Sequence, residues 1–137
     1  MKTEIRSKHA VVNKAPSVLY MAFVDMRNFT AMVPEDKRGE FQLQSDYDSV
    51  HAVVQGFNVG VRVTARVPYS RIDFADDGAP FSFSVSMHFD AVDGQPDRTD
   101  FSVEVNAELN FMMKMMLSSR IQEALDKMVD GLAANGQ

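Results

Sequence analysis

Apolar and polar residues alternate with a period of two over much of the chain, as in strands that bury one face and wet the other. From Phe81 to Asp90, Phe81, Phe83, Val85, Met87 and Phe89 alternate with Ser82, Ser84, Ser86, His88 and Asp90. Thr99 to Leu109 repeats the pattern, with Phe101, Val103, Val105, Ala107 and Leu109 on one face. Phe57 to Val67 sets Val59, Val61, Val63 and Ala65 opposite Asn58, Arg62, Thr64 and Arg66, and Gly60 reads as the mark of a bulge. Shorter strands fit Val50–Gln55 and Ile72–Phe74. Turns at Pro68, at Asp77-Gly78 with Pro80, and at Asp93-Gly94 with Pro96 favour consecutive antiparallel pairing. The same rhythm in a first strand puts Ile5, Ser7, His9 and Val11 inward and Glu4, Arg6 and Lys8 in water.

Two regions break this rhythm and predict helices. After Pro16, Val18, Leu19, Ala22, Phe23 and Met26 recur at three- and four-residue spacing, and a second short helix ends before Pro34. A long helix runs from Phe111 to about Ala134, with Asn110 as N-cap and Asn135-Gly136 as stop. Its stripe is Met113, Leu117, Ile121, Ala124, Leu125, Met128 and Leu132. At 1.5 Å per residue it is about 36 Å long, against a radius of gyration near 14 Å expected for a domain of this size, so it lies along the whole sheet.

Composition narrows the function. The 137 residues form one domain, 1–137, long enough to build a core without staples. With no Cys, thiol chemistry and Cys-ligated metals are excluded. A net charge of −5 without a Lys/Arg tract argues against nucleic acid. No apolar run approaches a membrane span, and Lys2 to Lys8 carries no leader-like stretch, so the expected location is the cytoplasm.

The order strand, short helices, antiparallel meander, long C-terminal helix resembles the helix-grip fold of the SRPBCC superfamily, which joins START lipid-transfer domains, pollen allergens and polyketide cyclases. The resemblance rests on Asn13-Lys14-Ala15-Pro16-Ser17-Val18-Leu19-Tyr20, on Asp25-Met26-Arg27-Asn28-Phe29 with Pro34, and on Asn110-Phe111-Met112-Met113-Lys114-Met115-Met116 followed by Ile121-Gln122 and Leu125-Asp126-Lys127-Met128. It is to the small bacterial single-domain members and covers nearly the whole chain. It implies an α+β fold: a curved antiparallel sheet of six to seven strands, two short helices after the first strand, and the long helix packed across the sheet, with Phe41–Gln44 as a weak extra strand. It also implies a cavity for an apolar ligand between sheet and helix, and brings no family-wide catalytic residue.

Alternation then names the expected lining as Val61, Val63, Phe74, Phe83, Val85, Met87, Val103 and Val105 from the sheet, with Met113, Leu117, Ile121 and Leu125 from the helix. A solid core is the alternative. Ser7 and His9 are the candidate polar anchors, suited to a ligand carbonyl or carboxylate or to proton transfer. His51 and His88 face outward, and no His pair has metal-ligand spacing. Glu40, Asp46 and Asp48 lie in a polar loop without an apolar wall and read as a solvated face. Nothing in the sequence calls for a cofactor, and no phosphate loop or nucleophile elbow is present. Met112 and Met115, or an exposed sheet edge, are left for a second copy or a protein partner. The expected function is binding of a lipid, isoprenoid or polyketide-like molecule; the alternatives are a cyclase- or dehydratase-type enzyme on the same cavity, or an interaction module with a vestigial one.

Overall fold

The two longest alternating segments form the central ribbon: β7 (Phe83–Val92) pairs antiparallel with β8 (Gln95–Glu108), from Phe83 opposite Ala107 to Ala91 opposite Thr99. In this computed structural model, which describes residues 2–31, 33–54 and 56–135, the other elements attach to that ribbon in chain order. They are β1 (Lys2–Arg6), β2 (Ala10–Val12), α1 (Pro16–Phe23), α2 (Met26–Ala31), α3 (Glu35–Glu40), β3 (Gln44–Ser45), β4 (Ser49–Val54), β5 (Phe57–Val67), β6 (Arg71–Asp76) and α4 (Phe111–Asn135). The strands make one antiparallel sheet in the order β1-β8-β7-β6-β5-β4-β3, with β2 also on β8, so β1 and β2 act as two halves of one edge strand. The expected architecture stands, with three short helices instead of two and β3 starting at Gln44, the last residue of the weak strand expected over Phe41–Gln44. Gln55 and Gly136, expected at a strand end and a helix stop, lie outside the described residues.

Two bulges shift the parity that simple alternation assigns. Arg6 faces Glu104 and Ala10 faces Phe101, so Ser7, Lys8 and His9 stand opposite only Ser102 and Val103. One extra residue flips every later side chain to the other face. Val12 is therefore fully buried, whereas Val11, expected inward, is 44% exposed. The second bulge lies between Val63 and Ala65, not at Gly60. Beyond it Arg66 pairs with the buried Ile72 and points to the inner face, while Ala65, expected there, pairs with Asp73 on the outer one. Gly60 answers a different need: a Cβ there would sit 2.3 Å from both the Asp77 carbonyl oxygen and the His51 ring.

The inner face carries the core. Phe89, Phe101, Ile72 and Val103 pack with Leu19, Tyr20 and Phe23 of α1 and with Val129 of α4. The Phe23 ring stacks on Phe101 at 6.2 Å, and complete burial of such a side chain contributes about 1.5–3 kcal/mol. A second cluster, Ile5, Val105, Ala107 and Leu109, lies under the first half of α4.

Asn110 Oδ1 accepts the Met113 N–H at 2.8 Å, the N-cap expected for α4. The stripe keeps a four-residue step through Met113, Leu117, Ile121, Leu125 and the fully buried Val129, whereas Ala124, expected in it, is exposed. The side chain of Leu132 lies outside the described residues. α4 does not cross the whole sheet; it lies against β1, β2 and β8. Its polar flank binds the edge strand: Gln122 donates to the Arg6 carbonyl, Asp126 accepts the Lys8 N–H at 2.7 Å, and Asp130 pairs with the Lys8 ammonium. The sheet edge expected to be open to a partner is thus occupied at Arg6 and Lys8.

Candidate functional site

Because α4 sits over β1, β2 and β8, the inner face of β4 to β7 keeps a gap. Met26 from α2, Val50 from β4, Val61 from β5, Phe74 from β6, Val85 and Met87 from β7 and Met128 from α4 line a partly open cavity of about 130 Å³. All seven side chains are apolar. An apolar cavity of about 150 Å³ stays dry and admits benzene, so this one fits a single ring or a short branched chain, well below the roughly 300–1,000 Å³ of pockets for larger ligands. An open depression of about 350 Å³ lies where β1, β8, β7 and β6 run side by side; Lys2, Asp76, Ser84, Asn106 and Glu108 line it together with Ala107 and Phe83, one of the expected cavity residues, so its wall is mixed where that of the smaller cavity is apolar throughout.

Of the expected lining, Val61, Phe74, Val85 and Met87 reach the cavity. Val63 packs against the main core and Val103 lies within it. Phe83, Val105, Met113, Leu117, Ile121 and Leu125 belong to the cluster under the first half of α4 and do not line the gap, although Leu125 also packs against the main core. Ser7 is buried as expected, but the edge bulge consumes its hydroxyl, which donates to the Lys8 carbonyl at 2.7 Å and accepts the Val103 N–H at 2.9 Å. His9 corrects the expectation: the bulge turns it to the outer face, its side chain 63% exposed and its Nδ1 2.9 Å from Asp100 Oδ1. His51 is also exposed, 2.8 Å from Asp77. Among the described residues no three His, Asp or Glu side chains gather closely enough to hold a metal ion.

Sequence reasoning missed Met26, Val50 and Met128 as lining, although Met26 and Met128 were already in helical patterns. It missed Arg66 because the bulge at Thr64 reverses its face. The Arg66 guanidinium donates from Nε to the Val24 carbonyl at 3.0 Å, from Nη2 to the Tyr47 carbonyl at 2.9 Å and from Nη1 to Asp48 Oδ1 at 2.8 Å. It also lies 4.2 Å above the Tyr47 ring centre. Tyr20 packs edge-on against Tyr69 at 5.6 Å, and Tyr69 holds a left-handed φ of 66°. Burial raises the Tyr20 hydroxyl pKa, with the Arg66 charge opposing, so the phenol is neutral at physiological pH. Tyr47 and Tyr20 thus flank one inward-facing arginine, and Tyr69 packs on Tyr20. Asp46 also proves structural: the Ser49 hydroxyl and the Asp48 and Ser49 N–H groups bind its carboxylate and lower its pKa.

No protein-family model matches the chain, and no curated protein matches its sequence. Solved structures do. A START superfamily protein from Mycobacterium smegmatis aligns over 96% of this chain and 97% of its own, with TM-score 0.66 and 14% identity. Norcoclaurine synthase from Thalictrum flavum, in complex with dopamine and hydroxybenzaldehyde, aligns over 98% of this chain and 86% of its own, with TM-score 0.72 and 10% identity. At such identities the likeness is one of fold: the chain has the helix-grip fold of START-type proteins, the fold that the resemblance to the SRPBCC superfamily implies.

Proposed function

We propose that this protein binds a small apolar or amphipathic molecule in the gap between sheet, α2 and α4. The observation that carries this reading is the wholly apolar cavity, bounded by side chains from six separate elements. Its volume favours the small end of the lipid, isoprenoid or polyketide-like range: a single ring or a short branched chain enters as the cavity stands, and anything larger requires α2 or α4 to shift. The norcoclaurine synthase neighbour was solved with two single-ring molecules, which agrees in size. Arg66, joined to the lining residue Met26 through the Tyr47 carbonyl that both bind, is the cation assigned to the ligand's polar end. It binds such a group only by releasing Asp48, whose side chain is 66% exposed.

The test is a thermal-shift screen of single-ring aromatics, short isoprenoids and fatty acids, beside mass spectrometry of organic extracts of the purified protein. A ligand at 100 times its dissociation constant stabilises by about 2.7 kcal/mol. Val61→Phe fills the cavity and should abolish the shift while the protein still unfolds cooperatively. A screen without a shift, together with extracts free of any bound compound, would sink the proposal.

A further inference from the structure

The first two turns of α4 are apolar on both sides. Met113 and Leu117 face the core, yet Phe111, Met112, Met115 and Met116 are 67%, 70%, 70% and 63% exposed. At 3.6 residues per turn, Met112 and Met115 lie opposite the stripe of Met113, Leu117 and Ile121 and Met116 lies on its flank, with Lys114 at one margin and Arg120 at the other. Both cations are exposed, and no acidic side chain among the described residues engages either. No acid occurs between Glu108 and Glu123, although the whole chain carries −5. Beyond Ser119 the outer face turns polar through Glu123, Lys127 and Asp130, so the apolar surface is confined to the helix start.

We infer that this helix start docks on an anionic lipid surface, with the methionines and Phe111 among the acyl chains and Lys114 and Arg120 at the headgroups. An apolar sector margined by cations is the pattern of a helix lying in a membrane interface. Among the described residues no helix is long and apolar enough to cross a membrane. Charge separates this occupant from a second copy. A two-fold dimer through this patch brings the patch against itself and sets cations facing cations, whereas anionic headgroups attract both. The inference does not depend on whether the cavity holds a ligand.

Vesicle flotation tests it, with phosphatidylcholine alone and with phosphatidylcholine containing phosphatidylglycerol. The intact chain should float with the phosphatidylglycerol vesicles and not with the others, although its net charge opposes this. Met115→Ser with Met116→Ser should weaken flotation about tenfold or more, and Lys114→Ala with Arg120→Ala should weaken it about 30-fold. All four side chains are exposed, so the melting temperature should stay put. If the methionine pair cannot be replaced together, Met112→Ser alone should weaken binding with the fold intact. Absence of flotation, or flotation that ignores both pairs, overturns the inference. So does a dimer in sedimentation velocity that Met115→Ser with Met116→Ser dissolves without lipid, because the face would then belong to a second copy.

Discussion

Arg66 and Met26 share one acceptor, the Tyr47 carbonyl, which takes the guanidinium Nη2 at 2.9 Å and the Met26 N–H at 3.2 Å. This ties the cavity wall at Met26 to a charge on the inner face of β5. Arg66→Leu leaves the Val24 carbonyl without its guanidinium donor and removes one from Tyr47, so urea unfolding should show a loss of about 2–3 kcal/mol. Arg66→Lys keeps the charge without the fork and should recover less than half of that loss. A stability equal to the parent would mean that the three contacts are incidental.

Gly60 should not tolerate even a methyl group. The added Cβ would meet a backbone oxygen and an imidazole, both at 2.3 Å, so Gly60→Ala should cost about 2–3 kcal/mol in denaturant unfolding. Adding His51→Ala should restore only part, since the Asp77 carbonyl remains in place. Full rescue would place the whole strain on the imidazole.

The edge bulge separates two residues that strand parity had joined. Ser7→Ala removes the acceptor for the buried Val103 N–H and should destabilise by about 1–3 kcal/mol. His9→Phe removes only an exposed contact to Asp100 and should stay within about 0.5 kcal/mol. Binding of any ligand found in the thermal-shift screen should be unchanged by His9→Phe. Weakened binding would return His9 to the site.

Asn110→Ala should lower stability by about 1 kcal/mol, because the Met113 N–H loses its cap. For a domain of this size that is about 3–5 °C in Tm. Asn110→Asp, which keeps the acceptor and suits the helix dipole, should match or exceed the parent.

Acid should weaken the loop before β4. The Ser49 hydroxyl and the Asp48 and Ser49 N–H groups hold the Asp46 pKa below the ordinary carboxylate value, so its contribution is present above that value and fades as pH falls through the lowered one. A pH series of melting temperatures on the parent and on Asp46→Ala should show the gap between them closing in acid. A gap constant with pH would remove the ionised carboxylate from the account.

Element types and order were legible because Phe81–Asp90 and Thr99–Leu109 alternate without interruption and Asn110 announces the long helix. The face of a residue was legible only as far as the nearest bulge. His9 and Val11 lie beyond one and Arg66 beyond another, and no glycine marks either site, since Ser7 and Thr64 are ordinary strand residues. The lining was half legible for a related reason. Periodicity tells which side of α4 is apolar, but not that α4 sits over β1, β2 and β8 and leaves Phe74 and Val61 to Met26 and Met128.

The hydrogen bonds from Gln122 to Arg6 and from Lys8 to Asp126 constrain how the cavity can load. At the far end of the sheet β3 is two residues long, and the Phe41 carbonyl takes the Val53 N–H at 2.7 Å, so strand addition finds little to pair with there. α4 closes the other end. A ligand route that lifted α4 from β1 would bare an apolar stripe and an unpaired strand margin together, the combination that drives edge-to-edge aggregation. For the ligand proposed above, the route left is the opposite flank, where α2 meets β4; opening there breaks the Thr30–Ser45 hydroxyl contact and the Met26 bond to the Tyr47 carbonyl, and none between α4 and the edge strand.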